Sequence, residues 1–247
     1  MEKTRLNKYL SEQGICSRRE ADRLLEAGKI QVNGQIAVMG VKVDDQDKIV
    51  VDGQEISREK KVPDILLAFH KPRGIVCTAS KEDKNNIVDY IQYPERIYPV
   101  GRLDKDSEGL ILMTNQGELV NGILKSRYGH EKEYVVNVDR KITEELIERM
   151  AQGIFLPELN VTTKPCKIKK TGQKQFRIIL TQGLNRQIRR MCRACGYEVT
   201  KLVRVRIMNI SLGGLACGTY REVTTEEYEE LKKILQETNS SEKDIRN

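Results

Sequence analysis

The chain has 247 residues, 38% hydrophobic and 32% charged, with a formal net charge of +7. That balance closes a packed core and excludes a fibrous or disordered chain, and the length favours a small domain plus a medium one. No apolar run nears the roughly 18 residues of a membrane span, and Lys3, Arg5 and Lys8 among polar residues leave no room for a secretion signal, so a cytoplasmic, membrane-free protein is expected.

From Leu6 to Ile56 the sequence predicts a compact unit. Leu6, Tyr9 and Leu10 share helical spacing, and Gly14 stops that first helix. Ser17 and Glu20 have the Ser-x-x-Glu form of a capping box that opens a second helix, with Ala21, Leu24 and Leu25 on its buried face and Gly28 at its end. Lys29 to Val32 alternates as a short strand, and Asn33-Gly34 and Asp52-Gly53 are tight-turn signals. So little core suits a docking module better than an enzyme. The charged stretch ending at Pro63 reads as a linker, 59–63, between a first domain of 1–58 and a second of 64–236.

In the second domain an apolar strand, Ile65 to Phe69, is followed by strand-like runs at Glu133 to Val138, Phe176 to Leu180 and Val203 to Ile210. Two helices, Thr143 to Gln152 and Gln187 to Ala194, are interleaved with them. The pattern predicts an α+β fold with a mixed, largely antiparallel sheet flanked by helices. A last helix is expected from about Thr225 to Gln236, followed by a polar tail, 237–247.

Charge is unevenly spread. From Lys164 to Arg206 thirteen Lys or Arg face a single acid, Glu198, a stretch that repels itself unless a polyanion meets it. With no Trp and few aromatics for generic single-strand stacking, structured nucleic acid read by charge and shape is the expected partner. The six cysteines are scattered and should be reduced. Cys192-x-x-Cys195 has no second pair and only His70 and His130 to help it, so it reads as helix packing and no metal site is expected. His130 reads as a loop residue and not as a general base.

The densest polar cluster is the loop Gly101-Arg102-Leu103-Asp104-Lys105-Asp106-Ser107-Glu108-Gly109, anchored by the apolar run after it. Composition alone allows a solvated charged turn. A carboxylate held beside cations on a rigid strand is also how a nucleophile or base is positioned, with Asp104 or Asp106 as candidates.

Gly101-Arg102-Leu103-Asp104-x-x-Ser107-x-Gly109-Leu110 resembles the central signature of the RsuA/RluB/RluE/RluF branch of pseudouridine synthases, whose Asp, directly after Arg-Leu, is catalytic. Lys71-Pro72-x-Gly74, Lys132-Glu133-Tyr134 and Gln187-Ile188-Arg189 resemble three further motifs of that family, in the right order. Arg5 to Leu10, Gly14 to Ala21 and Gly28 to Gly34 are similar to the RNA-binding domain first described in ribosomal protein S-four. Gln182 to Gln187 and Asp83 to Tyr90 look closest to the RluF type.

The resemblance implies a cofactor-free enzyme that flips a uridine out of structured RNA, most of all large-subunit (23S) ribosomal RNA with transfer RNA as a second candidate, and isomerises it to pseudouridine. It implies Asp104 as catalytic, Arg189 as the cation that keeps it ionised and Tyr134 as a wall against the uracil face. Arg102, Leu103, Lys105, Leu184, Asn185, Arg186 and Gln187 are the implied RNA contacts around the site. Lys8, Ser17, Arg18, Arg19, Arg23 and Lys29 are the implied RNA face of the first domain, and a monomer is expected. The competing expectations are a non-catalytic RNA-binding or ribosome-assembly factor and a DNA-binding regulator.

Overall fold

The computed structural model describes residues 3–56, 63–80, 82–124 and 128–245, with side chains to 238. Two compact units result, the first built on the residues before Ile65, the second largely on those after it. Apart from Pro63, the segment 59–63 read as the linker lies outside the described residues.

In the first unit the helices Leu6–Glu12 and Arg18–Glu26 pack on a sheet ordered Gln35–Ile36, Ile30–Val32, Ile49–Val51, Gln54–Glu55. Leu6, Leu10, Ala21, Leu25, Ile30, Val43 and Ile49 form its core. Ser17 Oγ accepts from Glu20 N at 3.1 Å, whereas the Glu20 carboxylate meets Arg23 Nη1 at 3.4 Å. The strand connections turn on Asn33 and Gly34 (φ 52° and 80°) and on Asp52 and Gly53 (φ 50° and 82°), the paired left-handed residues that match a two-residue hairpin to the strand twist.

The second unit is built on one nine-stranded sheet. Its main order is Lys167–Gly172, Gln175–Leu180, Lys132–Val138, Val199–Ile207, Glu108–Thr114, Leu66–Lys71, Tyr220–Glu222. Every pairing is antiparallel except the central one between Val199–Ile207 and Glu108–Thr114. At this parallel seam Gly109 (φ 116°) lies so close to Arg204 that any side chain there would strike the Arg204 backbone carbonyl, so only glycine fits.

Two apolar cores flank the seam. One gathers Val136, Val138, Leu146, Met150, Phe176, Ile178, Ile188 and Met191, and the other Leu66, Leu110, Leu112, Ile123, Ile207, Ile210, Leu231 and Leu235. The helix Glu144–Gln152 is capped by Thr143, whose Oγ1 accepts from Leu146 N at 3.2 Å. The last helix spans Thr225–Ile245 and so takes in most of the stretch expected as a tail. Glu237 to Ile245 contains no Gly or Pro to end a helix already nucleated and packed through Leu231 and Leu235.

Candidate active site

Where the two cores meet, Leu180, Ile188 and Leu202 from one and Val100, Ile123 and Ile207 from the other leave a cavity of about 480 Å³. Asp104, Tyr134 and Arg189 all line it, together with Arg102, Leu103, Leu184, Asn185, Arg186 and Gln187. Asp106 does not, so of the two candidate carboxylates Asp104 is the one that faces the cavity.

The loop bearing Asp104 is pinned at every peptide. The Arg102 carbonyl accepts from Arg204 Nη1 at 3.4 Å, Leu103 O from the Cys77 thiol at 3.2 Å and Asp104 O from Ser107 N at 3.0 Å. Lys105 O accepts from Gly74 N at 2.7 Å and Asp106 O from Arg189 Nη2 at 3.0 Å. Cys77 Sγ also accepts from Leu103 N at 3.3 Å. Burial pushes the Cys77 thiol pKa up, which preserves the proton it donates. Beneath the loop, Lys71 is fully buried with Nζ on the carbonyls of Pro72 (2.8 Å) and Ile75 (2.9 Å).

The cations are distributed differently from expectation. Arg189, expected to pair with Asp104, instead places Nε 3.4 Å from Asp106 Oδ2 and Nη2 3.2 Å from Ser107 Oγ. The cation beside Asp104 is Arg186, with Nη1 3.9 Å from Oδ2; it also grips Asp106 through two bonds of 3.0 and 2.8 Å. Arg186 is the residue before the helix Gln187–Ala194 and has a left-handed backbone, φ 50°. For a non-glycine this costs on the order of 1 kcal/mol and turns the chain so that Arg186 and Arg189 reach one loop. The hydrogen bonds from Arg186, ahead of the pull of Arg189, hold the Asp106 carboxyl below its usual range. Asp106 is thus a structural counter-ion and leaves Asp104 free for other work.

Gln187, expected to hold RNA, is buried, and its side chain turns back to accept from Leu184 N at 3.1 Å; a buried amide must be paired inside the fold. Lys105 lies outside the cavity lining, with its carbonyl serving the loop. Two cations that the sequence reading left without a role line or back the cavity. Lys132 is pushed down to about 8, first by burial and then by Arg204. Arg204 is 3% exposed, with Nε on Leu110 O at 2.7 Å. The Lys-x-Tyr spacing was the available signal for Lys132; nothing local marked Arg204.

In the first unit Lys8 pairs with Glu12 (3.6 Å), Arg23 with Glu20 (3.4 Å) and Lys29 with Asp52 (3.2 Å), Ser17 is the helix cap, and Arg18 and Arg19 are exposed. The long basic stretch is not the bare field its sequence implied. Nine of its thirteen cations meet carboxylates, most of them from outside the stretch, such as Glu108, Glu131, Glu133, Glu144 and Glu158. His130 is a loop residue, as read, but a buried one, its Nδ1 donating to Ile123 O at 3.1 Å. Cys192 is a buried core residue whose thiol is pushed up to about 12 by burial.

Residues 65–194 match the family described as RNA pseudouridylate synthase, and residues 4–56 match the S4 domain. The chain is 51% identical over 240 residues to the dual-specificity RNA pseudouridine synthase RluF of Salmonella typhi, a match spanning 97% of this chain and 82% of the relative. It is 37% identical over 238 residues to the ribosomal large subunit pseudouridine synthase B of Bacillus subtilis, spanning 93% and 96% of the two chains. A crystal structure of a pseudouridylate synthase superposes with a TM-score of 0.67 at 28% identity, over 92% of this chain and 99% of that one.

Proposed function

Because the chain belongs to the RNA pseudouridylate synthase family, in the RsuA/RluB/RluF branch and with an S4 domain, it isomerises uridine to pseudouridine in RNA, and we propose that its substrate is large-subunit ribosomal RNA and its catalytic residue Asp104. The names of two relatives, one dual-specificity and one of the ribosomal large subunit, support the first part; transfer RNA is the second substrate proposed. The observation that carries the second is a single carboxylate facing a cavity whose supporting loop is hydrogen-bonded at each carbonyl from Arg102 to Asp106. The same proposal takes the protein as a cytoplasmic monomer with a catalytic domain of 64–236.

In the reaction the bond from uracil N1 to ribose C1′ breaks, the freed base turns within the cavity, C5 joins C1′, and the proton on C5 is lost as N1 gains one. Atoms and electrons balance without a cofactor. Asp104 serves either by attacking C1′ or by taking the adjacent ribose proton. Its fixed loop supplies orientation, where an error of about 1 Å costs roughly 100-fold in rate. Tyr134 and the apolar walls Leu103, Ile188 and Leu202 confine the extruded base, whose flipping costs a few kcal/mol. Arg186 and Arg189 hold the loop, and Arg102 and Asn185, exposed at the cavity, are placed for phosphates. Asp104→Asn should bind unmodified ribosomal RNA as the wild type does and form no pseudouridine when the product is mapped chemically. Turnover by that variant at a tenth of the wild-type rate or more would remove Asp104 from the reaction.

A further inference from the structure

A second concavity, of about 710 Å³, opens elsewhere on the catalytic unit, lined among others by Arg149, Gln152, Phe155, Glu158, Arg190 and Arg193. Its aromatic residue is unusual for this chain. There are three Phe and no Trp; Phe69 and Phe176 are 0% exposed, while Phe155 is 53% exposed. Phe155 lies on the two-residue strand Phe155–Leu156, paired with Val161–Thr162. Leu156 fills the core at 1% exposure, so the strand's alternation turns Phe155 outward, over the groove.

Three arginines line that groove with Phe155, against one lining acid, Glu158. Arg190 meets Glu158 at 3.2 Å and Arg193 meets Glu198 at 3.0 Å, pairs with exposed carboxylates that a phosphate can displace at little cost. Arg149 has no carboxylate partner among the described residues. The helix Gln187–Ala194 ties the groove to the active site: Arg189 and, just before it, Arg186 face the Asp104 loop, while Arg190 and Arg193 face the groove. Each pair, 186 with 190 and 189 with 193, is one helical turn apart, about 5–6 Å, so a strand leaving the cavity meets the next cation within a nucleotide step.

We propose that this groove is a second RNA subsite, in which an unstacked base outside the isomerised nucleotide stacks on Phe155 while Arg149, Arg190 and Arg193 take the neighbouring phosphates. The proposal rests on RNA being the substrate, and it names how the strand beyond the reacting uridine is held. Stacking of a base on one aromatic ring makes Phe155→Ala weaken RNA binding roughly tenfold. The test is equilibrium binding of unmodified large-subunit ribosomal RNA transcript, measured in an Asp104→Asn background so that it reads the groove whatever carries the catalysis. Phe155→Ala is expected to bind about tenfold more weakly, Phe155→Trp to restore binding, and Phe155→Leu, apolar but not aromatic, to fail. Arg149→Gln with Arg193→Gln should flatten the salt dependence of the affinity. Full binding by Phe155→Ala, or full rescue by Leu, would overturn the proposal; the first result would point to a protein partner for the groove. With Asp104 intact, Phe155→Ala is expected to raise KM and leave kcat unchanged.

Discussion

Arg204 and Arg206 stand two positions apart on one strand, where alternation would put them on the same face, yet their surroundings are opposite. Arg206 reaches two carboxylates, Glu133 at 3.0 Å and Glu131 at 2.9 Å. Arg204 is buried on the backbone carbonyls of Leu110 and Arg102, beside Lys132 and at the cavity. The cause is a bulge: Glu133 pairs with Arg206 and Tyr134 with Arg204, so Val205 is the extra residue. One extra residue inverts the alternation, and Leu202, Arg204 and Ile207 all line the cavity. Cations on the outer ladder are matched by acids and hold the sheet. Arg204 and Lys132, on the cavity side, are held by neutral carbonyls and keep their charge for an anion. The strongest way to break this division is the exchange Arg206→Ile with Ile207→Arg, which sets an arginine at a position only 2% exposed. Burying an unpaired arginine costs several kcal/mol, and the expected result is insoluble or unfolded protein, checked by soluble yield and circular dichroism.

Next in size is the cation that ties the catalytic loop. Arg189→Gln loses the pull on Asp106 and the bonds to Asp106 O and Ser107 Oγ. Because the loop would shift without leaving the cavity, kcat should fall about 100-fold with RNA affinity changed by less than about threefold. Single-turnover rates with measured binding separate the two. A comparable loss in affinity would mean that Arg189 acts on RNA and not on the loop.

Much of this site was legible in the sequence because local chemistry determined it. The Ser17 hydroxyl as a helix cap, the Asn33-Gly34 and Asp52-Gly53 turns and the boundaries of Gln187–Ala194 follow from neighbouring residues, and all are found as read. The resemblance of their motifs to those of one family implied that Asp104, Tyr134 and Arg189 serve one site, and the three line one cavity. What local chemistry could not give is pairing across the sheet. The bulge at Val205 has no sequence mark, since Val205 itself is an ordinary strand residue. Counting charge along the chain made Lys164 to Arg206 look unneutralised, because the acids that face it arrive on other strands, Glu131 and Glu133 above all. The resemblance paired Arg189 with Asp104, whereas its ion pair is with Asp106 and Asp104 acts on it from farther away: two carboxylates two residues apart differ in which way the loop turns.

Lys132 sharpens the comparison from the cavity side. Its pKa of about 8 lies below the ordinary 10.5 because burial and Arg204 disfavour the charge. The folded state therefore binds fewer protons than the unfolded one between about 8 and 10.5. The penalty is present in full below pH 8, and stability rises with pH across that window. Lys132→Met should stabilise the protein at neutral pH by on the order of 1–2 kcal/mol, allowing for solvent at the cavity mouth, and should lose the alkaline gain. Activity should fall about tenfold, the loss expected when a charge-assisted bond to substrate is removed. Thermal melts at pH 7 and pH 9.5 with kcat/KM decide it: a variant that is less stable at pH 7 would mean that Lys132 is a paired structural cation like Arg206.

The smallest effect belongs to Arg206 itself. Hydrogen bonds from Arg206, with Lys167 assisting, hold the Glu131 carboxyl below its ordinary range. At Glu133 burial is the largest single influence and pushes upward, but the bonds from Arg177 and Arg206 together outweigh it. A depressed carboxylate stabilises the fold above its unfolded value, near 4.5, and that contribution is lost as pH falls through the folded value. Arg206→Gln should therefore cost about 1 kcal/mol at pH 7, lose less stability than the wild type on acidification below pH 4.5, and leave kcat and KM within about twofold. Urea titrations at pH 7 and pH 3.5 read both. If the variant instead lost activity in step with Lys132→Met, the two faces of the strand would be doing one job, and the bulge would have no functional meaning.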